Sequence, residues 1–209
     1  MDIYQRLKDL HIVLPPLTAP VAAYVSFVQT GNLVFVSGHI AKQDGNPWVG
    51  QLGTNMDTAL GQIAARSVAI DLLGTLHVAS GGDLHRIKRI VKVMSLVNSA
   101  PTYTEHHLVT NGCSELLGEV FGPTVGAHAR SAFGVAQLPM GCCVEIAQAG
   151  RAVDGHGVWR SRATAASLGP IRRQPLQHQG ARARQHAAQP RDRQRRAPGH
   201  GPRGIDAQQ

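Results

Sequence analysis

Apolar residues recur along the first 150 positions at spacings that switch between helical and extended periods. Ile3, Leu7 and Leu10 fall on one helical face and predict a short amphipathic helix. Pro15, Pro16 and Pro20 then force an extended linker. Ala23 to Thr30 and Leu33 to Ser37 read as two strands joined by a tight turn at Gly31-Asn32, a hairpin. Gly38 to Gly53 reads as a loop, with Asp44-Gly45-Asn46-Pro47 as its turn.

A long helix is predicted from about Asp57 to Ala79. Leu60, Ala64, Val68, Leu72 and Leu76 repeat every four residues, and Ile63, Ile70 and Leu73 widen the stripe. Asn55 or Asp57 can cap its start, and Gly81-Gly82 ends it. Arg86 to Asn98 reads as a strand apolar on both sides, with Ile90, Met94 and Leu96 against Val91, Val93 and Val97. Such a strand needs two covers. Helices supply one, and the other is a candidate subunit interface. Tyr103 to Val120 predicts a second helix, and Ala127 to Gln137 and Cys142 to Ala149 predict two closing strands. The order is α–β–β–α–β–α–β–β. Two long helices on one face of a single mixed sheet make an α+β layer fold.

Charge changes the picture only at the end of the chain. The formal net charge is +8, yet residues 1–150 carry nine Lys and Arg against ten Asp and Glu. Residues 151–209 carry twelve Arg, no Lys and three Asp. The chain therefore divides into a 1–150 domain and a 151–209 low-complexity tail, expected to be disordered because it has little apolar surface to bury. Two readings of the tail stand: an Arg-rich arm for RNA or anionic surfaces, or a C-terminus without a selected role, translated out of frame. No apolar run reaches the ~18 residues of a membrane span, and the polar start carries no secretory signal. Cys113, Cys142 and Cys143 make no disulfide framework, so a cytoplasmic location is expected.

No phosphate-binding glycine loop and no CxxC pair is present, and His106 and His107 are adjacent on a helix, a poor metal pair. Two residues break the local pattern. Arg130 lies in HARSAFGVAQ and Glu145 in CCVEIAQA, both otherwise apolar strands. A charge in such a place needs a partner or a role. The two either pair with each other and hold the sheet, or act on a ligand. The ligand reading makes Arg130 a carboxylate clamp, whose planar fork grips two oxygens, and Glu145 a group that handles a proton.

HARSAFGVAQLPMGCCVEI resembles the signature of the reactive-intermediate deaminase family, also called Rid or YjgF and formerly endoribonuclease L-PSP. Ala129, Arg130, Ser131, Phe133, Ala136, Leu138, Val144, Glu145 and Ile146 carry the match. TGNLVFVSGHI resembles the family's Ser-Gly-Gln-Ile strand, with His39 in place of Gln, and Tyr24 stands where the family keeps a site tyrosine. RIVKVMSLVN resembles its central strand. His128 stands where many members have Pro. The N-terminal helix, the 38–53 loop and TNGCSELL resemble a longer subgroup.

The resemblance implies a chorismate-mutase-like fold, a homotrimer and intersubunit clefts. It implies hydrolysis of small enamine or imine carboxylates, of the 2-aminoacrylate or 2-iminobutanoate type, to 2-keto acids and ammonia, without cofactor or metal. Arg130 would hold the substrate carboxylate and Glu145 would handle water, the two meeting in one crevice at a seam between protomers. Ser37, Tyr24 and Asn111 would line the pocket. Two other functions stay open: a non-catalytic carboxylate-binding trimer of the same fold, or an endoribonuclease or translation inhibitor, with nucleic acid met only through the basic tail.

Overall fold

A computed structural model of the chain describes residues 2–17 and 22–152. Arg151 and Ala152, assigned to the tail by composition, instead end the last strand of the sheet; the rest of the tail and Pro20 lie outside the described residues. The elements in chain order are α1 (Ile3–Asp9), β1 (Phe27–Thr30), β2 (Leu33–Ile40), β3 (Lys42–Gln43), β4 (Asn46–Pro47), α2 (Thr58–Ala79), β5 (Ile87–Asn98), α3 (His106–Val109), α4 (Asn111–Val125), β6 (Ala129–Val135) and β7 (Val144–Ala152). Five strands form one mixed sheet in the order β1-β2-β7-β5-β6; only β5 and β6 run parallel. The fold is α+β with a single mixed sheet, as expected.

Local chemistry explains the helix starts. Asp2 accepts from the Gln5 amide at 3.1 Å, and Asp57 accepts from the Leu60 amide at 2.8 Å, so Asp57 is the cap of α2. Gly81 and Gly82 follow α2 with φ of +76° and +85°. By length and composition α2 is apolar enough to cross a membrane. Here it is the core helix: Val68, Leu72, Leu73 and Leu76 are fully buried, each leucine contributing roughly 2 kcal/mol through burial.

The helices pack through small residues. A side chain at Gly112 would begin 1.9 Å from the Gln62 carbonyl oxygen, so α4 crosses α2 with backbones nearly touching. Gly61 is closed off by Val109 and Leu52. Gly118, two turns along α4 from Gly112, faces open space.

Several expectations need correction. The first strand is shorter than Ala23–Thr30, and the second continues to Ile40 through a bulge between Val36 and His39. The 38–53 stretch contains the β3–β4 hairpin around Asp44-Gly45. The second long helix is divided at Thr110 into α3 and α4. Leu60 and Ile63, placed on the buried stripe by period alone, are exposed. In β5, irregularities after Ile87 and Ile90 break strict alternation. The helix-facing set is therefore Ile87, Ile90, Val93, Ser95 and Val97, while Val91, Met94 and Leu96 face away.

The outer face is apolar and uncovered in one protomer. Val28, Phe35, Met94 and Phe133 are 55%, 48%, 39% and 42% exposed. Ile40, Glu145, Leu96 and Phe133 stand side by side in register across it. This is the second cover that the sequence of β5 demands.

His39 points the other way, toward α2, with Nε2 3.0 Å from Thr75 Oγ1. Burial lowers its pKa below 6.5, with Lys42 assisting and Asp71 opposing. The unfolded chain then takes the proton more readily. This stability is complete above pH 6.5 and is lost as pH falls toward the lowered value.

Two predictions follow from packing and charge. Gly112→Ala should cost about 3 kcal/mol or more, while Gly118→Ala should stabilise by about 0.5–1 kcal/mol; urea midpoints of both variants check this, and equal effects would contradict it. His39→Gln should remove part of the loss of denaturation midpoint between pH 7.5 and 5.5, the remainder belonging to His106 and His128, whose pKa values burial also lowers.

Candidate active site

The five expected site residues fall into two groups on opposite sides of the sheet. Arg130 stands beside Val93, a helix-facing residue, and Glu145 stands beside Leu96, three residues on and outward-facing. The sequence leads to the expectation that neighbouring C-terminal strands donate Arg130 and Glu145; this is corrected, because β5 runs between β6 and β7. Within one protomer Arg130 and Glu145 do not meet. The reading in which they pair with each other is thereby overturned for the single chain.

The first group gathers around Arg130. Its Nη1 donates to Asn111 Oδ1 at 2.8 Å and to Ser114 Oγ at 3.2 Å, both on the first turns of α4. Among the described residues no carboxylate pairs with it. Ser114 lies 3.0 Å from His128 Nε2, and His128 Nδ1 lies 2.6 Å from the Gly126 carbonyl oxygen. Arg130, Ser114, His128, Gly118, Pro123, Gly126 and Ala127 line an open cavity of about 410 Å³, a size that suits a small ligand. Both side-chain oxygens that Arg130 Nη1 touches are neutral, so its remaining N–H groups are free to receive an anion.

The second group surrounds Glu145. The β2 bulge sets two residues, Ser37 and Gly38, opposite Ala147 alone. A side chain at Gly38 would begin 2.1 Å from Glu145 Oε1, so glycine is needed there to make room for the carboxylate. Ser37 Oγ donates to the Val25 carbonyl at 2.6 Å, which ties β2 to the segment carrying Tyr24. Tyr24 is exposed, and its hydroxyl has no partner among the described residues. The Glu145 carboxylate likewise makes no hydrogen bond or ion pair among the described residues. Burial among Ile40, Leu96 and Phe133 pushes its pKa up.

Cysteine chemistry is silent. Burial pushes Cys113 and Cys142 up to about 12 and Cys143 to about 11, so each thiol stays protonated. Among the described residues no three His, Cys, Asp or Glu side chains are grouped to hold a metal ion.

Residues 5–148 match a family described as "YjgF/chorismate mutase-like, putative endoribonuclease". The chain belongs to the YjgF/chorismate mutase-like family. A Trypanosoma cruzi relative, protein TCP17, is 47% identical over 142 residues, covering 68% of this chain and 88% of that one. The solved structure of Atu1372 from Agrobacterium tumefaciens, a protein of unknown function, superposes with a TM-score of 0.66 at 39% identity, over 72% of this chain and 93% of that one. A Shewanella oneidensis structure described as that of a "putative endoribonuclease" gives 0.68 at 26% identity, over 72% and 99%.

Sequence reasoning missed Ser114 and the role of Gly38, and it noted His128 only as a departure from the family pattern. Periodicity points to two of them: Ser114 is three residues from Asn111 on one helical face, and His128 is two residues from Arg130 along an extended segment. Gly38→Ala should leave the fold intact, since the displaced atom is the free end of a side chain. It should move the Glu145 titration down toward 4.5 by pushing the carboxylate into water. Carboxyl carbon NMR across pH 3–8 reads this, and an unmoved titration would contradict it.

Proposed function

We propose that the protein is a homotrimeric deaminase of small enamine and imine carboxylates, with each active site completed by two protomers. One protomer supplies Arg130, Asn111 and the 410 Å³ cavity. Its neighbour supplies Glu145, Gly38, Ser37 and Tyr24. The observation that carries this reading is that the two charged groups, Arg130 exposed and Glu145 half-buried, each lack an ion partner among the described residues and stand on opposite faces of one sheet. An apolar outer face that needs a second cover supplies the reason for assembly.

The chemistry suits those groups. Arg130 grips the substrate carboxylate through the N–H groups that Asn111 and Ser114 leave free, which orients the neighbouring C=N carbon. An enamine first takes a proton on carbon and gives one up from nitrogen to become the imine. Water then adds to the imine carbon while one of its protons passes to Glu145. That proton goes on to nitrogen, giving the carbinolamine. The carbinolamine hydroxyl then passes its proton through Glu145 to the same nitrogen as the C–N bond breaks, so ammonia leaves and the carbonyl of the 2-keto acid forms. A carboxylate with a raised pKa suits these proton transfers. Ser37 is held by Val25 and shapes the strand beside Glu145, whereas the free hydroxyl of Tyr24 is available to ligand or water. Three free, buried cysteines fit a reducing, cytoplasmic setting.

The reading is tested by hydrolysis of freshly generated 2-aminoacrylate, with sedimentation to report the trimer. Arg130→Ala and Glu145→Ala should each lose activity by about a hundredfold or more. Mixing the two variants after reversible dissociation should restore about a quarter of the parent rate, the share of seams that pair an intact Arg130 with an intact Glu145. Failure of the mixture to recover would overturn the shared site. Carboxylate binding without turnover in the parent protein would instead favour a non-catalytic binding trimer.

A further inference from the structure

The hydrogen bonds beside Arg130 have a definite direction. A carbonyl oxygen only accepts, so the 2.6 Å contact to Gly126 places the His128 proton on Nδ1. The neutral ring then presents Nε2 as a lone pair, and burial together with the nearby Arg130 charge favours that neutral state. At 3.0 Å the Ser114 hydroxyl must donate to Nε2. Its oxygen is left with lone pairs facing Arg130 Nη1 at 3.2 Å. The chain of donors therefore runs from Arg130 to Ser114 to His128, and from His128 to a backbone carbonyl.

We propose that Ser114 and His128 are positioning residues that lock the rotation of the Arg130 guanidinium, so that its free edge faces the incoming carboxylate. The inference rests on the carboxylate-clamp reading and adds two residues to it. Asn111 alone leaves the planar group able to pivot about one contact. Two acceptors on the same Nη1, themselves anchored to α4 and to the Gly126 backbone, remove that freedom before a ligand arrives. The lock requires an acceptor for the Ser114 hydroxyl at position 128. A proline there, which resembles the commoner family pattern, has no nitrogen to accept from Ser114.

The lock acts on ligand binding, not on the reacting bond, which separates it from a merely structural role. With the full-length protein, Ser114→Ala and His128→Ala should each weaken calorimetric binding of 2-oxobutanoate about tenfold. Each should raise KM for the imine by the same factor and leave kcat within about twofold. Ser114→Thr keeps the hydroxyl and His128→Gln keeps an acceptor at the Nε2 position, and both should recover most of the loss. The double alanine variant should be no worse than the poorer single one, because the contacts act in series. Unchanged affinity in the alanine variants, or equal loss in the conservative ones, overturns the lock. If Arg130→Ala abolishes 2-oxobutanoate binding in the same experiment, the clamp stands and the lock alone falls; if Arg130→Ala binds as the parent does, both fall.

Discussion

A β-strand sends successive side chains to opposite faces, and register carries that parity from one strand to the next. Here it assigns Arg130 to the helix-covered face and Glu145 to the bare one, through their shared neighbour β5. No side-chain rotation returns either group to the other side. A chemistry that uses both must bring a second sheet edge against the first. The exposed row of Val28, Phe35, Met94 and Phe133 gives the apolar reason for that approach, and the two unpaired charges give it a purpose.

The two half-sites are held by different means. Arg130 is constrained by neutral oxygen atoms at the start of α4, so its charge is oriented without being neutralised. Glu145 is constrained by space: a bulge and a missing side chain at Gly38 leave one slot for it, flanked by apolar neighbours. A half-buried carboxylate without a cation is costly in isolation, whereas the exposed Arg130 keeps its charge in water.

The helix layer bears on the same site. Gly112 lets α4 settle against the α2 backbone, and that contact sets how far Asn111 and Ser114 stand from β6. A substitution at Gly112 would thus disturb stability and clamp geometry together. Gly118, on the cavity side, has no such neighbour.

Much of this was legible in the chain itself. Periodicity located α1, α2 and the strands, because burial of one face imposes a repeat that no tertiary detail alters. Arg130 and Glu145 declared themselves as charges in apolar strands. What the sequence could not carry were quantities that depend on register. Irregularities after Ile87 and Ile90 moved Met94 and Leu96 to the outer face, and the insertion of β5 between β6 and β7 separated residues that lie fifteen apart in the chain. Amino-acid type determines which groups must find a partner or a ligand. Strand order, bulges and helix crossings decide which side of the sheet each one waits on, since those follow from contacts between segments distant in sequence.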